Sequence, residues 1–178
     1  MVNVEKCKIT RYPAPVLAKP AKSIEEINDN IRLLADKMFD IMVEAKGIGL
    51  AGPQAGVPFR IFVISTDGTK EHGKVYINPT ITPSGSIEQN EEGCLSLPGI
   101  WTKIRRHTIC SVTATGLDGC QFTEEAEGLL ARAFQHENDH IEGRLIIDRM
   151  GQISRIAVRN RLKELREIYE KTVQKQVP

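Results

Sequence analysis

The sequence predicts an α+β fold in which antiparallel strands surround a central helix, with one further helix near each end. Three observations predict it. Helical periodicity occurs near the two ends and once in between, at 128–141. The β-rich runs follow one another across turn dipeptides, Asp67-Gly68 and Asp118-Gly119, instead of alternating with helices. The third is His136-Glu137-Asn138-Asp139-His140, a spacing that puts both histidines on one face only if the segment is helical.

Each element has a local cause. Tyr12-Pro13-Ala14-Pro15 and Lys19-Pro20 force an extended N-terminal segment. Ser23-Ile24-Glu25-Glu26 reads as a capping box that opens a helix. Its apolar stripe is Ile27, Ile31, Leu34, Met38, Ile41 and Ala45, and Gly47 is expected to stop it as a C-terminal glycine. Phe59–Ile64 and Val75–Ile77 read as strands, the second closed by Asn78-Pro79. Ile104–Thr115 and Gln121–Glu127 read as a hairpin about Asp118-Gly119. A two-residue loop there sets Leu117 opposite Cys120 and Cys110 opposite Glu127. The helix at 128–141 carries the histidines. From Gln152 to about Gln174, Val158, Leu162, Leu165, Tyr169 and Val173 form a last helical stripe. No repeat, low-complexity run or linker divides the chain, so residues 1–178 read as one domain.

Composition narrows the classes. Of 178 residues, 40% are hydrophobic and 26% charged, which suits a globular domain and excludes a disordered one. A net charge of +1 gives no global attraction to DNA or membrane, and no apolar run approaches bilayer length. Met1–Cys7 lacks the basic start and apolar core of a signal peptide, so the expected setting is the cytoplasm, or an organelle stroma or matrix for a processed form. The four cysteines do not form a disulfide framework in a chain of this size and are expected reduced.

The chemistry concentrates in three segments. His136 and His140 can present two imidazole nitrogens to one metal ion, leaving Glu137 to handle the proton of an activated water. A catalytic site needs a third protein ligand. Cys94, in Glu91-Glu92-Gly93-Cys94-Leu95-Ser96-Leu97-Pro98-Gly99, stands outside any apolar run; the residues alone leave it open between ligand and small buried hydrophobe. Gly47-Ile48-Gly49-Leu50-Ala51-Gly52-Pro53-Gln54 is glycine-rich without the ending of a phosphate loop. It offers bare backbone to a peptide lying alongside, and one amide side chain.

In this order, Gly-Ile-Gly-Leu-Ala-x-x-Gln, Glu-Gly-Cys-Leu-Ser and Gln-His-Glu-x-Asp-His, the three segments resemble the signature motifs of the peptide deformylases. That resemblance implies removal of the formyl group from the N-terminal formyl-methionine of nascent peptides. It implies one divalent ion, Fe(II) with Zn(II) or Ni(II) able to substitute, on Cys94, His136 and His140. It implies Glu137 as proton carrier, and the Gln54 amide and Leu95 backbone N–H as oxyanion donors. The peptide would add as a strand beside Ile48 and Gly49 and near Gly93. The methionine side chain would enter a pocket near Ile48, Leu129, Ala133 and the His136 ring, although for these apolar residues ordinary core is an equal reading. Two departures stand out: Ala51-Gly52-Pro53 where the family usually has Ala-Ala-Pro, and Trp101 where some members carry an arginine that contacts the peptide backbone. Arg106 is either a partner of Asp139 or a solvated surface arginine.

Two rivals make different demands. A general His-Glu-x-x-His peptidase needs a third His or Glu ligand downstream; Glu142 and Glu164 are downstream, but neither sits in a recognisable glutamate-zincin context. A metal-stabilised RNA-binding module has no use for Glu137 or Gln54. Residues 149–178 hold eight Lys or Arg against three Glu, so this stretch is +5 and the remainder −4. That helix is either a solvated face or, as the resemblance implies, a means of docking on the ribosome.

Overall fold

Asn28, not Ser23, opens the first helix of the computed structural model, which describes residues 2–174. The Asn28 side chain accepts a bond from Ile31 N at 3.2 Å, and α1 runs from Asp29 to Glu44. The expected capping box at Ser23 is overruled by tertiary bonds. Lys22 bridges Phe59, and both backbone polar groups of Ile24 bond the Asn78 side chain at 2.9 and 2.8 Å. Those bonds hold the segment before Asn28 extended. The predicted stripe is otherwise in place: Ile31, Leu34, Met38 and Ile41 are buried. The helix end is also corrected. Lys46 takes the left-handed conformation (φ 56°), and Gly47 N donates to Met42 O in the following position of the same motif.

Five strands form one antiparallel sheet in chain order: β1 (Gly49–Ala51), β2 (Ile61–Ile64), β3 (Lys74–Gly93), β4 (Trp101–Thr115) and β5 (Gln121–Glu127). β2 begins two residues later than expected because Phe59 is taken by Lys22. Asn78-Pro79 does not end a strand. β3 passes through it with a register shift between Ile77 and Thr80, Asn78 taking φ 49°. Such a shift accommodates a proline that could not sit in a regular ladder, and β2 pairs with β3 only over Lys74–Ile77. The extended β3 ends beside Cys94.

The β4–β5 hairpin is present, but its register is one residue off the expected one. Thr115 pairs with Gln121 and Cys110 with Ala126, not with Glu127. Gly116 N donates to Cys120 O, leaving a three-residue loop in which Gly119 is left-handed (φ 83°). This loop replaces the two-residue turn expected from Asp-Gly. All four cysteines are free thiols.

α2 (Gly128–Ile141) follows β5 directly and lies across the sheet. Phe134 anchors it between Phe62 and Tyr76, with ring centroids 6.4 and 5.2 Å away. The C-terminal helix is more divided than its periodicity suggests. An unanticipated α3 (Ile146–Arg149) precedes α4 (Gln152–Ala157), which is interrupted at Val158 before α5 (Arg159–Gln174). Leu165 is buried and Val158, Leu162 and Tyr169 pack against the cluster of Leu17, Leu97 and Ile100, whereas Val173 is exposed. Lys175, the last basic residue counted above, lies outside the described residues. Among those described, no helix is long and apolar enough to cross a membrane.

Candidate active site

Every residue that the resemblance implies as a ligand, proton carrier, oxyanion donor or substrate contact belongs to one region. Cys94 leaves the end of β3, His136 and His140 stand one turn apart on α2, and Gln54 lies in a single-turn helix (Gly52–Ala55) after β1. A cavity of about 650 Å³ is lined by Ile48, Gly49, Gln54, Gly93, Cys94, Leu95, Leu129, Ala133, His136 and Glu137. Leu129 is exposed, which excludes ordinary core for it, while Ala133 is buried.

The donor set fits a metal ion. His140 Nε2 lies 3.3 Å from both Cys94 Sγ and His136 Nε2, and the three ligand atoms fall within 4.8 Å of one another. Tetrahedral bonds of about 2.1 Å to nitrogen and about 2.3 Å to sulfur would separate such atoms by about 3.4–3.6 Å. Burial, then the charges of His136 and Arg106, hold His140 well below its ordinary pKa, so its ring is neutral as a ligand requires. Burial also disfavours charge on His136. The facing Cys94 sulfur and Glu92 carboxylate overcome that and raise it, so this spot attracts positive charge.

Glu92 is the residue that sequence reasoning missed. Its Oε2 accepts from His136 Nδ1 at 2.9 Å, which turns Nε2 toward the ligand cluster. The same carboxylate receives two bonds from Arg106, each 3.0 Å, and one from Arg132 at 2.7 Å. Burial alone would raise the Glu92 carboxyl, but the bonds from His136 and Arg106 hold it well below the usual range. One signal was available: Glu92 is two residues before Cys94, hence on the same side of an extended chain. Arg106 is buried and also bonds Asp139, so its solvated alternative is excluded; Arg149 of α3 pairs with Asp139 from the other side. Nothing local announces Arg149.

Glu137 is buried, and its Oε2 has no hydrogen-bond partner among the described residues. Burial pushes its carboxyl up to about 7, where it can both take and release a proton near neutrality. Gln54 is held by Ala51 N donating to its Oε1 at 2.8 Å, which aims Nε2 at Cys94 Sγ, 3.5 Å away. The downstream carboxylates of the peptidase rival go elsewhere: Glu142 pairs with Arg60 and Glu164 with Arg161.

Residues 6–155 match the family model described as polypeptide deformylase. The chain belongs to the peptide deformylase family. The peptide deformylase of Acidobacterium capsulatum is 44% identical over 164 residues, 91% of this chain and 96% of that one. The Pseudomonas aeruginosa peptide deformylase is 40% identical over 157 residues, 88% and 94% of the two chains. Among solved structures, the peptide deformylase of Plasmodium falciparum superposes with a TM-score of 0.89 at 38% identity, covering 93% of this chain and 98% of its own. The α+β architecture is therefore the deformylase fold, and the chain is a hydrolase that removes the formyl group from nascent peptides.

Proposed function

We propose that the cavity hydrolyses the formamide of formyl-methionyl peptides through Glu137, Gln54 and the Leu95 backbone. The carrying observation is the convergence of a thiol, two imidazoles, an unpartnered buried carboxylate and a fixed amide on one cavity. When bound by Cys94, His136 and His140, a divalent ion supplies Lewis acidity and lowers the pKa of a water. Glu137 takes the proton of the attacking water and delivers it to the leaving amine as the C–N bond breaks and formate departs. The Gln54 Nε2 and Leu95 N–H stabilise the negative charge that grows on the formyl oxygen. Ile48, Gly49 and Gly93 give backbone pairing to the peptide, and Leu129 and Ala133 flank the methionine side chain.

The proposed resident ion is Fe(II), with Zn(II) or Ni(II) able to replace it, since one thiolate and two imidazoles suit all three and supply decides among them. Anaerobic purification, metal analysis and assay of formate release from a formyl-Met peptide test this reading. One divalent ion per chain with formate release supports it; formate release from chain stripped of metal overturns it.

The proposed setting is the cytoplasm, or an organelle that makes formylated chains, with docking on the ribosome through the C-terminal helices. Arg155, Arg159, Lys163 and Arg166 line a second cavity of about 520 Å³ whose lining holds no acidic residue, a surface suited to a phosphate backbone. Because Leu165 is buried, deleting the helix would open the core. Charge reversal at exposed Arg159 and Lys163 is the cleaner test, expected to abolish ribosome co-sedimentation at low salt while sparing hydrolysis of short peptides.

A further inference from the structure

Trp101 opens β4 directly opposite Gly93, the residue before the ligand Cys94. It is the only tryptophan in the chain, yet 66% of its surface is exposed. Its six-membered ring lies against the Gly93 backbone: a Cβ on Gly93 would stand 3.0 Å from three ring atoms. The glycine gives the ring a flat seat, so the indole is placed by backbone contact and not by burial. The ring lines the same cavity as Cys94, His136 and Glu137, and Leu129, 55% exposed, lines it as well. Two large apolar side chains left in water at a cavity mouth mark a contact surface, and an indole is the strongest anchor of that kind.

We infer that Trp101 is a specificity-determining residue: its ring packs on an apolar side chain in one of the two residues that follow formyl-methionine. The inference rests on the functional reading above. With the formyl carbon beside Cys94 and His136, the chain beyond methionine must leave by the cavity mouth, advancing about 3.4 Å per residue when extended. Within two residues it reaches the level of Gly93 and the ring seated there. Trp101 does not touch the reacting atoms, so it selects through binding, which appears in KM and leaves kcat unchanged.

The test compares two peptides of equal charge, formyl-Met-Leu-Phe and formyl-Met-Ser-Ser, each with one C-terminal carboxylate and uncharged side chains, so that Arg11, Lys46 and Glu91 of the lining weigh equally on both. The metal-loaded enzyme should prefer the first by about tenfold in kcat/KM, through KM. Trp101→Ala should bring the ratio to within about threefold with kcat unchanged, and Trp101→Phe should restore most of it. The emission of the single tryptophan in the parent protein should also shift to shorter wavelength on addition of the product Met-Leu-Phe. An unchanged ratio in Trp101→Ala, or no shift on product binding, overturns the inference while leaving the hydrolytic reading intact. No formate from either peptide with the parent enzyme would overturn both.

Discussion

Gly49 and Glu137 occupy adjoining space to the exclusion of any side chain between them: a Cβ on Gly49 would overlap the Glu137 carboxylate. The glycine at this position of β1 leaves room for the Glu137 carboxylate of α2, which stands against its backbone. Gly49→Ala must push the carboxylate aside, and a displacement of about 1 Å costs about 10²-fold in rate. The expected outcome is a fall in kcat of that order with full metal content. A parental kcat would show that Glu137 need not stand where it does.

Glu137→Ala should bind metal and lose about 10²–10⁴-fold in activity, since it deletes the proposed proton carrier and keeps the proposed ligands. Gln54→Ala should lower kcat by about 10²–10³-fold, as for one oxyanion donor. Steady-state kinetics separates the two possibilities for Gln54, because a rise confined to KM would make it a substrate-binding residue only.

Metal content should respond in two steps. Cys94→Ala removes a proposed ligand and should lose most of the ion, whereas Glu92→Gln keeps all three proposed ligands but weakens the acceptor at His136 Nδ1. The second change is expected to lower metal affinity by about 10–100-fold, measured by competition with a chelator. Equal affinity in Glu92→Gln would mean that the His136 ring is held without this bond.

Arg106 joins Glu92 of β3 to Asp139 of α2 inside the protein. Arg106→Ala leaves two buried carboxylates short of a partner, which costs about 3–5 kcal/mol. Urea unfolding of the metal-loaded protein should show that loss. A change below about 1 kcal/mol would mean that Arg132 and Arg149 compensate.

Oxygen offers an independent check on the ion. The Fe(II) form should lose activity rapidly in air, because both ion and Cys94 are oxidisable, while the nickel form should persist. Equal half-lives with and without oxygen would argue against iron.

The sequence by itself determined the fold class, the helix at 128–141 and the three segments that meet at the candidate site. The four-residue spacing of His136 and His140 is a property of helical geometry, so it survives any tertiary arrangement. The same holds for the stripe of α1 and for the helix at 128–141, whose bounds are as expected. Tertiary structure decided what local rules left in competition. Ser23 offered a valid cap, but the Asn78 side chain bonded the backbone of Ile24 and moved the helix start to Asn28. The β4–β5 register turned on a loop one residue longer than Asp-Gly alone implies, and with period 2 one residue decides the face of every side chain. Asn78-Pro79 looked terminal because proline lacks a donor, yet a register shift let β3 continue to Cys94. The bonds from His136 and Arg106 to Glu92 were beyond reach for the same reason, and only the fold chose between the two sequence readings of Arg106, partner of Asp139 or solvated surface arginine. Ion pairs between residues 33 or 44 positions apart depend on which strand lies beside which helix, and no local spacing records that.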